Sequence, residues 1–150
     1  MKVNYNWLKE YINGDLPASK ELGTLLDDHS YEVESIEQLS NGNAILDIDV
    51  LPNRAADSLC HCGVAREISA ILEIPFKDKE VADLVVGLPS TISIEILEDK
   101  KCARYIGKLI KNIEVKESPD GLREKLESLG QKSINNIVDS LNYVMFDIGQ

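Results

Sequence analysis

The alternation of apolar and polar residues is clearest between Ile45 and Leu72. In Ile45-Leu46-Asp47-Ile48-Asp49-Val50-Leu51, the residues Leu46, Ile48 and Val50 share one face and Asp47 and Asp49 point the other way. That period of two predicts a strand with one buried side. Pro52, lacking an N–H for a ladder, stops it. Pro52, Asn53, Arg54 and Asp57 then form a structural turn, with Asp57 or Ser58 placed to cap a helix. Val64, Ala65, Ile68, Ile71 and Leu72 recur three and four apart, predicting a helix that Pro75 ends.

The same reading places a short strand at Met1–Val3 and a helix near Tyr5–Asn13, with Trp7, Leu8, Tyr11 and Ile12 on one face and Gly14 as its stop. Ser19 is expected to cap a second helix, Lys20–Asp28, that buries Leu22, Leu25 and Leu26. Tyr31–Ile36 reads as a strand, and Asn41-Gly42-Asn43 turns the chain back so that it pairs with the strand from Ile45. Further on, Ile92, Ile94 and Ile96 alternate within Thr91–Leu97, Ala103–Ile110 alternates likewise, and Val115 belongs to a third strand. Ser118-Pro119 starts a helix that buries Leu122, Leu126 and Leu129 and closes at Gly130. A last helix spans Asn136–Met145, with Ile137, Val138, Leu141, Val144 and Met145 apolar. The fold class is α+β in two small units: residues 1–80 as a helical pair, hairpin and third helix, and residues 91–150 as an incomplete strand–strand–helix–helix module. Residues 81–90 join them as a linker with a weak apolar patch at Leu84-Val85-Val86.

Charge narrows the function. The 150 residues carry a net charge of −10, which disfavours direct contact with nucleic-acid phosphates. Residues 1–80 hold 7 Lys and Arg against 15 Asp and Glu, and residues 81–150 hold 9 against 11, so the acidity sits in the first half. Three cysteines without framework spacing point to a reduced, cytoplasmic compartment. No signal-peptide pattern opens the chain and no stretch approaches the length of a membrane helix.

Cys60-His61-Cys62 is the most metal-like cluster, but on a helix residues two apart project about 200° apart, so both sulfurs do not converge on one ion. They are read as helix-packing residues, with no metal. Arg54 is expected to pair with Asp57, Asp49 or Glu67, and Arg66-Glu67 to form a solvated ion pair. Asn135 and Asn136 are read as caps of the last helix. No nucleophile–base pairing can be assigned, and no catalytic residue is named.

Four stretches in register carry a resemblance: Tyr5-Asn6-Trp7-Leu8-Lys9-Glu10-Tyr11; Asp49–Leu59 with Gly63–Ile68; Cys102-Ala103-Arg104-Tyr105-Ile106-Gly107; and Ile134–Asp139 with Asn142–Met145 and Gly149-Gln150. In this order they resemble the bacterial phenylalanyl-tRNA synthetase β subunit, over nearly the whole chain. The resemblance implies a parent α2β2 ligase whose α chain, with ATP and magnesium, forms phenylalanyl-adenylate and charges tRNA. Its β chain supports the assembly and edits mischarged tyrosyl-tRNA. On this reading the chain is a fragment that includes the β chain's N-terminal domain and the start of the editing module. Its partners are the remainder of the β chain and the α subunit, tRNA is met only through the parent, and no cofactor binds this segment. Asn142 matches a pocket-lining asparagine of the editing site. Leu141 stands where the family usually has threonine, and a leucine neither hydrogen-bonds a tyrosine hydroxyl nor positions water. The family's inserted tRNA-binding OB-fold domain is replaced here by Leu39–Asn43, and the chain stops before a histidine-bearing editing segment. The other readings are a stand-alone RNA- or protein-binding paralogue and a deacylase acting in trans.

Overall fold

A computed structural model describes residues 1–80 and 92–149. Three antiparallel strands, β1 (Lys2–Asn4), β2 (Glu32–Gln38) and β3 (Ala44–Asp49), form a sheet in the order β1-β3-β2. Leu46 is the centre of the register, opposite Val3 on one side and Ile36 on the other. Leu46 and Ile48 are fully buried and Asp49 is exposed, as the alternation requires. The hairpin turns at Gly42, whose φ of +78° suits glycine. Leu39 N–H donates to the Asn43 carbonyl at 2.9 Å, closing the turn.

Helices α1 (Tyr5–Leu8), α2 (Ser19–His29), α3 (Ala55–Ser58) and α4 (His61–Leu72) surround the sheet. The first helix is shorter than expected: after Leu8 the chain tightens into a 3₁₀ turn, Lys9–Tyr11. Its predicted face, Trp7, Leu8, Tyr11 and Ile12, is nevertheless buried, with Leu22, Leu26, Val64 and Ile68 completing the core. Gly14 does not end that helix. It lies against Ile74, where an added Cβ would come within 2.7 Å of Cγ2.

Three predicted caps are corrected. Ser19 is the first helical residue, and its hydroxyl accepts from Gln38 Nε2 at 2.7 Å, a tertiary bond in place of a cap. Asp57 and Ser58 lie inside α3, so α4 is capped by Cys60, whose Sγ accepts from Gly63 N–H at 3.4 Å. Helix α5 (Asp120–Ser128) begins after Pro119 without a side-chain cap, because Ser118 donates to Asp139 instead. At its other end Gly130 takes φ +80° as expected. Helix α4 stops at Leu72, where Glu73 adopts the left-handed conformation at φ 53°. Pro75 does not end the helix but ties the following segment back to the start of the chain. Its carbonyl accepts from Asn13 N–H, and Lys77 N–H donates to the Tyr11 carbonyl.

Helix α6 runs Asn136–Ile148, one turn longer than predicted, and Asn135 caps it by accepting from Ile137 and Val138 N–H at 3.0 Å. Asn136 is not the cap. Its side-chain oxygen accepts from Lys116 N–H.

The division into units differs from the expected boundary near residue 80. Met1–Lys79 and the stretch from Val115 onward form one unit, so α5 and α6 belong with the sheet. A smaller unit holds the described residues between Glu80 and Glu114. The strands expected in 92–97 and 103–110 and at Val115 do not form among the described residues. An extended segment becomes a strand only when a neighbour takes up its N–H and C=O groups. Here Ile94, Ile96, Tyr105, Ile106 and Ile110 remain exposed. The two segments do approach one another, since a Cβ on Gly107 would lie 2.4 Å from Ile94 Cδ1. The expected linker, its Leu84-Val85-Val86 patch, Thr91 and Gln150 lie outside the described residues. Among the described residues no helix is long and apolar enough to cross a membrane.

Candidate functional site

The turn singled out by Pro52, Asn53, Arg54 and Asp57 is a 3₁₀ turn, Pro52–Arg54, leading into α3. Arg54 organises it. Its Nη2 donates to Glu67 Oε2 at 2.8 Å, to Asp57 Oδ2 at 2.9 Å and to the Tyr31 hydroxyl at 3.1 Å. Of the three carboxylates expected to pair with Arg54, Asp57 and Glu67 do so. The bond from Arg54 holds both carboxyl groups below the ordinary carboxylate range. Glu67 also accepts from Ser30 Oγ, so it is committed to Arg54 and Ser30 rather than to Arg66. Arg66 instead lies over the Phe76 ring at 5.0 Å. The turn is a clamp that joins Tyr31, just before β2, to α3 and α4.

A second polar cluster fastens α6. Helix α6 buries two aspartates, while Leu141, Val144, Met145 and Ile148 are exposed. Asp147 Oδ1 accepts from Trp7 Nε1 at 2.8 Å, from the Tyr11 hydroxyl at 2.6 Å and from Lys79 Nζ at 2.8 Å. Burial pushes the Asp147 pKa up, but bonds from Lys79, Tyr11 and Trp7 outweigh this and hold it low. The same burial, reinforced by Asp147, pushes the Tyr11 hydroxyl well above its usual range. Asp139, fully buried at the other end of the helix, accepts from Ser118 and Ser133 hydroxyls and from Ile134 N–H.

His61 ties the ends of this unit together. It is fully buried, stacked on Trp7 with ring centroids 4.0 Å apart. Its Nε2 accepts from Asn4 N–H at 3.0 Å, which leaves Nδ1–H to donate to the Phe146 carbonyl at 2.8 Å. Both contacts require the neutral ring, and desolvation lowers its pKa to about 4. The folded ring binds a proton less readily than the unfolded one, so its contribution is fully present above pH 6.5. It is lost as pH falls from 6.5 toward 4. Urea titrations should therefore show about 2 kcal/mol less stability at pH 5 than at pH 7, and a His61→Asn variant should lack that part of the dependence.

Cys60, His61 and Cys62 thus act separately. Cys60 caps α4, His61 bridges Asn4 to Phe146, and Cys62 is half-buried with its thiol pKa raised by burial. Among the described residues no group of three or more His, Cys, Asp or Glu side chains is arranged to hold a metal. Asn142 lies on α6, half-buried, beside the exposed Leu141. An apolar cleft of about 380 Å³ opens between α3 and the end of α6, lined by Ala55, Ala56, Leu59, Cys60, Met145 and Phe146 among others. Among the described residues no Asp, Glu, His, Lys or Arg lines it. The arrangement can hold elements together and receive apolar side chains. Sequence reasoning missed Asp147, Lys79 and the role of His61. The available signal was the stripe Asp139, Tyr143, Asp147, four apart on an otherwise apolar helix.

Comparison with known proteins agrees with the motif resemblance. Residues 101–150 match the B3/4 domain family. The chain is 34% identical to the phenylalanine–tRNA ligase β subunit of Fusobacterium nucleatum over 90% of its own length and 16% of that protein. It is 45% identical to the β subunit of Aquifex aeolicus over 76% of this chain and 14% of that one. Against Rhodopirellula baltica identity is 34% over 100% of this chain and 22% of the relative. The chain therefore resembles phenylalanine–tRNA ligase β subunits, and spans less than a quarter of the length of each of these three.

Proposed function

We propose that the chain is the framework segment of a phenylalanine–tRNA ligase β chain, serving an enzyme that uses ATP to attach phenylalanine to its tRNA in the cytoplasm. It is a structural and assembly part without a complete active site. One observation carries this reading: Asp139, His61 and Asp147 are spent on fastening α6, Arg54 and Glu67 on holding their turn, and no Asp, Glu, His, Lys or Arg lines the cleft. Its partners are the remainder of the β chain and the α subunit. The exposed alternating residues Ile94, Ile96, Tyr105 and Ile110 fit the first of these, because they need strands that the described residues do not supply. ATP and magnesium belong to the parent enzyme, and tRNA is met through it.

Asn142 is the editing-pocket candidate. Beside it Leu141 offers no hydroxyl to a tyrosine substrate, which supports a segment that does not edit by itself. The purified chain should give no mobility shift with tRNA at low salt and no hydrolysis of tyrosyl-tRNA above the protein-free rate. A tight shift that weakens steeply with salt would favour an RNA-binding paralogue, and deacylation would favour a trans-editing hydrolase.

A further inference from the structure

Two asparagines of the chain, Asn13 and Asn41, are followed by glycine. That neighbour matters chemically, because a residue without a Cβ leaves its amide nitrogen open to close approach. Both pairs are exposed, yet their surroundings differ. In the hairpin turn Gly42 N–H donates to the Leu39 carbonyl at 3.1 Å, and the Asn41 side-chain oxygen accepts from Asn43 N–H at 3.0 Å. The nitrogen and the carboxamide are thus each held by a partner. At the bend after Ile12 neither is. Among the described residues, Gly14 N–H and the Asn13 carboxamide have no hydrogen-bond partner. The Asn13 main-chain N–H does have one, the Pro75 carbonyl at 3.0 Å.

We propose that Asn13 is a self-modifying site, at which the carboxamide is lost as ammonia, and that the hairpin turn shields Asn41 from the same reaction. The Gly14 nitrogen attacks Asn13 Cγ. An N–Cγ bond forms, the Cγ–Nδ2 bond breaks, and the Gly14 proton leaves with Nδ2 as ammonia. Water then opens the cyclic imide at either of its carbonyls. Opening at Cγ gives aspartate. Opening at the main-chain carbonyl gives isoaspartate, in which the backbone runs through Cγ and is longer by one carbon. For Asn41 both bonds of the turn must break first, which slows the attack by about tenfold or more. The lengthening falls where the start of the chain is tied to the segment after α4. Gly14 lies against Ile74, and Lys77 N–H donates to the Tyr11 carbonyl. That segment carries Lys79 to Asp147. Isoaspartate formation at Asn13 therefore loosens it, and the site marks the age of the polypeptide. The reaction is independent of the ligase reading.

Peptide mass mapping of the purified chain, incubated in warm, mildly alkaline buffer, tests this. Conversion of amide to acid is followed separately in the peptides that hold Asn13 and Asn41. In the folded chain Asn13 is expected to convert about tenfold or more faster than Asn41. In urea, where the turn is lost, the two rates should come within about threefold of each other. Asn13→Gln keeps the main-chain N–H, and its longer side chain closes the ring poorly, so it should abolish the fast conversion. The isoaspartyl fraction, separated by chromatography, should unfold at lower urea than the fresh chain. Equal rates in the folded chain, faster conversion at Asn41, or no conversion at Asn13 overturns the proposal. So does a difference that persists in urea, since flanking residues and not the fold would then set it, or an isoaspartyl fraction as stable as the fresh chain.

Discussion

Replacing Asp147 by alanine is expected to destabilise the first unit by about 3–5 kcal/mol, the usual cost of removing one partner of a buried charged pair. The substitution strands three donors at once: the Trp7 indole, the Tyr11 hydroxyl and the Lys79 ammonium. Trp7 and Tyr11 are almost wholly buried, so water does not readily replace the carboxylate. Asp147→Asn keeps an acceptor but loses the charge facing Lys79, and should cost less than the alanine variant. Urea unfolding followed by the fluorescence of Trp7, the sole tryptophan, measures both. An alanine variant with an unchanged midpoint would mean that α6 is held by something other than this cluster.

The second large effect is expected at Gly63. A Cβ there would lie 1.7 Å from the Asp57 carbonyl oxygen, 2.8 Å from its carbon and 3.0 Å from Ser58 Cα. All three are backbone atoms, so no side chain can swing aside. Alanine favours a helix over glycine by about 1 kcal/mol. The clash works against this, and Gly63→Ala should lose about 3 kcal/mol net as α3 is pushed from α4. The sign makes the test sharp: a variant more stable than the parent would show that α3 does not lie against the first turn of α4.

Much of the sheet and its helices was legible because local pattern and tertiary burial agree there. Leu46 and Ile48 alternate with aspartates, Gly42 marks the turn, and Trp7, Leu8, Tyr11 and Ile12 recur at helical spacing. Caps were less legible. Ser19, Ser118 and Asp57 have the right chemistry for a helix start, but Ser19 and Ser118 are drawn to Gln38 and Asp139, and Asp57 to Arg54, partners that pattern alone does not show. The extended segments after residue 91 failed for another reason. Alternation records a preference for a sheet, and only a neighbouring ladder realises it. The site was the least visible part. Asp147 reads as one more polar residue near a helix end until the fold brings it to Trp7. The Arg54 clamp was partly visible, since Asp57 and Glu67 lie within reach along the sequence and Tyr31 does not.

The bond from Trp7 to Asp147 spans 140 residues of sequence. On a ribosome adding about 5–20 residues per second, the indole at the beginning of the chain waits about 10 s for its acceptor to be made. During that interval the hairpin can close, since its contacts are local, while the first helix lacks the group that anchors its inner face. Long-range closure of this kind slows folding. A nascent chain arrested before residue 147 should therefore engage chaperones more than one in which Asp147 has already emerged.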